Sequence, residues 1–221
     1  MGDTDGKSSA HGHGVHNPEN QDTPVRLIRA GIVLFSKHGF EGTSVKQIAE
    51  QAGVNVSLVS YHFNGKEGLY RACFEYFGRE KLAGPVRILQ PVASKEELRI
   101  RLNLFLEEFW STNIEEVDVM CMIHREEETG FAVARDIFMD LFVKIFETFV
   151  SVVRDAQTKG FVRKDLDVQM IGSVFFGAMV HNLTKDHINE QFFKVSLKQP
   201  EYRKKLASTL VTTILEGCLS D

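Results

Sequence analysis

Apolar residues recur at three- and four-residue spacing through most of the chain, and no segment calls clearly for the two-residue alternation of a half-buried strand. Leu27, Ile28, Ala30, Ile32, Val33, Leu34 and Phe35 follow Thr23-Pro24 and are dense enough to face two neighbours. Asp22 or Thr23 can cap that helix, and a first helical turn tolerates proline. Gly39 ends it. Val45, Ile48, Ala49 and Ala52 then mark a short helix behind the capping pair Thr43-Ser44. Gly53 is free to take a positive φ at its end, and Asn55 or Ser57 can cap a second short helix from Val56 to His62. After the turn dipeptide Asn64-Gly65, a helix is predicted from Lys66 to about Leu82. Further helices are predicted over Lys95 to Thr112, Met120 to Glu128, Ala132 to Lys159, Asp165 or Asp167 to His187, and Pro200 to Leu219. The pattern predicts an all-α protein with a three-helix N-terminal domain containing a helix-turn-helix, and a larger C-terminal helical bundle. The expected divisions are a tail over residues 1–21, the helix-turn-helix domain over 22–68 and the bundle over 69–221.

The second short helix has a split face. Leu58 and Val59 can pack inward, which leaves Asn55, Val56, Ser57, Ser60, Tyr61 and His62 to meet base edges or phosphates. A plain surface helix is the alternative, since no Arg or Lys lies between Val54 and Asn64. The residues around it carry a longer pattern. Thr43-Ser44-Val45-Lys46, Ile48-Ala49 and Ala52-Gly53-Val54, then Tyr61-His62-Phe63 and Lys66-Glu67-Gly68-Leu69, resemble the N-terminal domain of the TetR family of bacterial transcriptional regulators. The likeness reaches back over Arg26 to Phe40. Ser60 replaces a usual aromatic, and a subgroup whose recognition helix ends in Tyr-His-Phe fits better. The resemblance implies a dimeric DNA-binding regulator, most often a repressor, released by a small apolar or aromatic effector. Thr43, Ser44, Lys46, Tyr61, His62 and Lys66 are then expected at phosphates, and Asn55, Val56, Ser57 and Ser60 at bases. Lys66 also stands at a helix N-terminus, where backbone N–H groups favour an anion.

Composition changes this picture little. The 221 residues are 43% hydrophobic, enough for one small and one larger core. The net charge of −4 is unusual for a DNA binder, but only the contacting face matters. Glu107, Glu108, Glu115, Glu116, Asp118, Glu126, Glu127 and Glu128 carry the acidity in mid-chain, while Arg26 to Lys81 is slightly basic. No long apolar run and no signal-like start is visible, so a cytoplasmic protein without a membrane partner is expected. Cys73, Cys121 and Cys218 lack metal or disulfide spacing and read as buried, inert thiols. His11, His13 and His16 read as a solvated tail rather than a metal site. No HExxH, phosphate loop or nucleophile motif occurs, so neither an enzyme nor a cofactor is expected. His124 and Glu128, four apart, read as a surface pair.

A ligand pocket would draw on Phe105, Phe109, Trp110, Met120, His124, Phe142, Phe146, Phe175, Phe176 and Met179. His124 and His181 each read as structural before ligand-binding. Gly172, Gly177 and Ala178 would allow a close helix approach, which predicts a homodimer interface with Leu206, Leu210 and Ile214. A DNA-binding architectural or cell-cycle factor of the same fold, controlled by a protein partner, is the competing expectation, and a tightly packed bundle would favour it.

Overall fold

The computed structural model describes residues 23–115 and 117–218, apart from the side chains of Glu216 and Cys218. The tail histidines, Asp22, Glu116 and Leu219 lie outside the described residues. Helix α1 spans Thr23–His38, α2 Val45–Ala52, α3 Ser57–Phe63 and α4 Lys66–Phe77. A π-helical turn, Gly78–Leu82, carries α4 into the short α5, Ala83–Val86. The remaining elements are α6 (Lys95–Asn113), α7 (Asp118–Glu128), α8 (Arg135–Phe138), α9 (Lys144–Thr158), α10 (Val168–Thr184), α11 (Asp186–Ile188) and α12 (Pro200–Cys218). The fold is all-α, with no strand among the described residues, and no described helix is long and apolar enough to cross a membrane.

Helix α1 organises the N-terminal part because it is apolar on several sides. Leu27, Ile28, Ile32 and Phe35 are buried, and the helix packs against α2, α4 and α7 at once. The start of α2 is fixed locally by a capping box: Ser44 Oγ accepts the Gln47 N–H, and the Gln47 side chain accepts the Ser44 N–H at 2.9 Å. Its end is fixed by Gly53 at φ 65°, whose N–H reaches back to the Ala49 and Glu50 carbonyls. The Arg26 guanidinium donates to the carbonyls of Ala52 and Gly53 and ties that turn to α1. Asn55 Oδ1 accepts the Ser57 N–H at 2.9 Å and the Ser57 hydroxyl at 2.7 Å in a turn just before α3, whose N-cap position is Val56 and has no side-chain cap, so neither Asn55 nor Ser57 takes the expected capping position.

Three expected helices are broken, each for a tertiary reason. The Lys66 to Leu82 helix widens at Gly78, where a Cβ would lie 2.6 Å from Leu141 Cδ1. Leu141 sits in a second π-helical turn, Met139–Val143, so two widened turns press on each other across the bundle. The Ala132 to Lys159 helix starts only at Arg135, behind Ala134 at φ −122°, because the Glu126 carboxylate holds the N–H groups of Val133 and Ala134 outside the helix. Helix α10 stops at Thr184 rather than His187. Asp186 is buried there and accepts the Ser196 hydroxyl at 2.6 Å and the Leu197 N–H at 2.7 Å. Behind these breaks, Trp110, Phe105, Phe149 and Phe175 form the bundle core, with α6 against α12 and α9 against α10.

Candidate nucleic-acid interface and effector cavity

Helix α3 is a short helix pinned by one buried residue, Val59, with Leu58 half-buried beside it. Its other face is open: Asn55, Ser57 and Ser60 are exposed, Val56 is 45% exposed and Tyr61 76% exposed. Ser44 and Lys46 of the preceding helix are also exposed, Lys46 with its ammonium 3.9 Å from Glu50. These groups form one outward surface of small polar and aromatic side chains without a carboxylate on α3 itself.

Three residues expected at phosphates are placed otherwise. Thr43 is 2% exposed and its hydroxyl lies 3.2 Å and 2.8 Å from the Leu34 and Gly39 carbonyls, so it closes the turn after α1. Lys66 turns inward: its ammonium donates to the Phe40 carbonyl at 2.9 Å and lies 4.2 Å from the centre of the Phe40 ring. His62 packs its ring against Tyr61, and its Nε2 is buried with no hydrogen-bond partner among the described residues. Lys66→Met is therefore expected to lower stability by about 1 kcal/mol through the lost hydrogen bond and cation–π contact. The salt dependence of DNA binding should stay nearly as steep. A slope flatter by about one unit would return Lys66 to the phosphate set.

The bundle holds a cavity of about 910 Å³. Phe105, Phe109, Met120, His124, Phe142, Phe146, Phe176 and Met179 are among its lining residues. Trp110 and Phe175 are not: both are fully buried behind the wall, and Trp110 Nε1 donates to the Met179 carbonyl at 3.0 Å. Cys121 is exposed and lines the cavity, against the expectation of a buried thiol, whereas Cys73 is buried and its pKa is pushed up by that burial. His124 lies 3.6 Å from Glu127 and 3.5 Å from Glu128 on the surface, and His181 is exposed. No cluster of metal-ligating side chains occurs among the described residues.

The cavity abuts α1. Ser36 and Arg125 both line it. Arg125 donates from Nε to the Ser36 carbonyl at 2.9 Å and from Nη2 to the Lys37 carbonyl at 3.1 Å, so an α7 side chain satisfies the last turn of α1. Ser36 Oγ donates to Asp118 at 3.0 Å. A second tie joins α4 to the loop before α8. Glu126, 3% exposed, accepts the Tyr70 hydroxyl at 2.9 Å and the N–H groups of Val133 and Ala134 at 2.7 and 2.8 Å. Burial first and this carboxylate second push the Tyr70 pKa up. The sequence carries no sign of either tie, because Arg125 and Glu126 sit in a run of charges that reads as solvated.

Residues 27–73, which span α1 to the middle of α4, match the family described as bacterial regulatory proteins, tetR family. That stretch carries a TetR-type N-terminal domain. Its relatives include the probable HTH-type transcriptional regulator YttP of Bacillus subtilis, 40% identical over 33% of this chain and 33% of YttP. Across the first curated relatives the matches span about a third or less of their length. A longer match, 22% identical over 77% of this chain and 83% of the relative, joins it to the HTH-type transcriptional repressor NicS of Pseudomonas putida. Among solved structures, the regulator FadR from Bacillus subtilis in complex with stearoyl-CoA superposes with a TM-score of 0.68 at 17% identity, over 87% of this chain and 98% of FadR. Members of the TetR family are DNA-binding regulators rather than enzymes.

Proposed function

We propose that this chain is a dimeric, sequence-specific transcriptional repressor of the TetR family that leaves a near-palindromic operator when a small apolar or aromatic effector fills the bundle cavity. The observation that carries the reading is the open face of α3, set on a framework whose sequence matches the family over residues 27–73. Residues 22–68 would form the DNA-reading part and 69–221 the effector and dimer part. Asn55, Val56, Ser57 and Ser60 would meet bases, with Ser44, Lys46 and Tyr61 at phosphates. The repressor sign draws on NicS, and the effector on FadR, solved with an acyl ligand.

The cavity supports a small-molecule effector over control by a protein partner, since a packed bundle would have left no room. Its contact with Arg125 and Ser36 gives an occupant a direct hold on the end of α1, and α1 carries α2 on its other side. An occupant shifts the equilibrium only as far as it binds the released state better. For the dimer, Met170 and Val174 are 70% and 60% exposed on α10, and a Cβ at Gly177 would meet nothing. Gly172 does not belong with them: a Cβ there would lie 2.9 Å from Phe146, so its small size serves the contact with α9. Leu206 and Leu210 are half-buried, and Ile214 is buried within the chain.

Selection from random duplexes by the purified protein, at low and near-physiological salt, tests the reading. Enrichment of a two-fold symmetric site is expected. Retention of duplexes without any enriched sequence would remove sequence reading from the account.

A further inference from the structure

The walls and the mouth of the cavity differ in chemistry, and the difference points to one class of occupant. Phe105, Phe109, Phe142, Phe146 and Met179 line its apolar part, where an unpaired charge would be costly. The charged lining residues come from two places only: α7, with His124, Arg125, Glu127 and Glu128, and the α10–α11 junction, with Lys185 and His187.

These charges are unequally satisfied. Glu127 and Glu128 lie 3.6 and 3.5 Å from His124, and neither pairs with Arg125 or Lys185 among the described residues. Arg125 donates to the Ser36 and Lys37 carbonyls and makes no ion pair among the described residues. The side chains of Lys185 and His187 make no hydrogen bond or ion pair among the described residues. Arg125 and Lys185 both act on Cys121, another lining residue, favouring its thiolate against burial and Asp118. Two cations without an ion-pair partner among the described residues therefore line the cavity beside that thiol, while Asp118 acts on it from outside the lining.

We infer that the occupant is an anionic amphiphile, its apolar body among the phenylalanines and its single anionic head at Lys185 and Arg125. This rests on the reading of the cavity as the effector site. A cationic head would meet Arg125 and Lys185 with like charge, and specificity then comes from repulsion as much as from attraction. The head docks on the arginine that holds the Ser36 and Lys37 carbonyls, so the group that confers specificity also reaches the end of α1.

The test uses the full-length protein at low ionic strength, where exposed charges are least screened. N-phenyl-1-naphthylamine, neutral and apolar, is bound first, and its fluorescence is followed as decanoate or decylamine displaces it. The expected result is displacement by decanoate at a concentration at least tenfold lower than by decylamine, with Lys185→Gln narrowing that ratio at least threefold. Equal displacement by the two, displacement by neither, or a ratio untouched by Lys185→Gln overturns the anionic head and leaves the cavity as an effector site. Failure of the dye to bind overturns the effector site itself.

Discussion

Replacing Glu126 with alanine is expected to lower the unfolding free energy by about 3–5 kcal/mol, because three donors lose their acceptor in a buried place. Glu126 accepts from the Tyr70 hydroxyl and from the N–H groups of Val133 and Ala134, and it is 3% exposed. Water cannot readily replace it at that depth. For a chain of this length the loss corresponds to a fall of roughly 10 °C in thermal midpoint. Tyr70→Phe removes only one donor and leaves the carboxylate its two backbone partners, so it should cost about 1 kcal/mol. A calorimetric or denaturant measurement that gave both variants the same small loss would show that the carboxylate does not tie α4 to the α7–α8 loop. Under the proposed function the tie would also bear on regulation, since α4 leads from α3 into the bundle.

The second large effect belongs to the surface of α3. Ser60→Glu puts a carboxylate on an exposed position of a helix that otherwise carries no acid, beside the 76% exposed Tyr61. In a major groove that carboxylate would face the phosphates of both strands, and like-charge contact costs several kcal/mol. The expected result is a loss of affinity for the enriched duplex of about a hundredfold or more, equivalent to about 3 kcal/mol. Stability should move by less than about 0.5 kcal/mol, because the side chain buries nothing. Fluorescence anisotropy measures the first and thermal unfolding the second. A variant that unfolded normally and bound as tightly as the parent would take α3 out of the groove.

The N-terminal part was legible because its signals are local. Ser44 caps α2 with Gln47 three residues on, Gly53 ends it, and Asn55 closes the turn before α3 on Ser57 two residues on, so each is set by neighbours in sequence. Thr43 and Lys66 were misplaced at phosphates for the converse reason. Their partners, the Leu34, Gly39 and Phe40 carbonyls, belong to the end of α1 and the turn after it, and only the folded chain brings them near. In the bundle the aromatic lining could be read from composition, but not which rings face inward. Trp110 and Phe175 share helices with lining residues and are buried on the far side. The helix breaks were unreadable where they rest on distant contacts, as Gly78 does on Leu141. Arg125 reads as one more surface charge because its acceptors lie almost ninety residues away.

Hydroxyl-radical footprinting on the enriched duplex tests the central claim, that two copies of α3 read successive major grooves. The account predicts two protected patches on one face, related by two-fold symmetry and centred about 10 base pairs apart or a multiple of that, both lost with Ser60→Glu. A single patch, or two patches that survive Ser60→Glu unchanged, would contradict it.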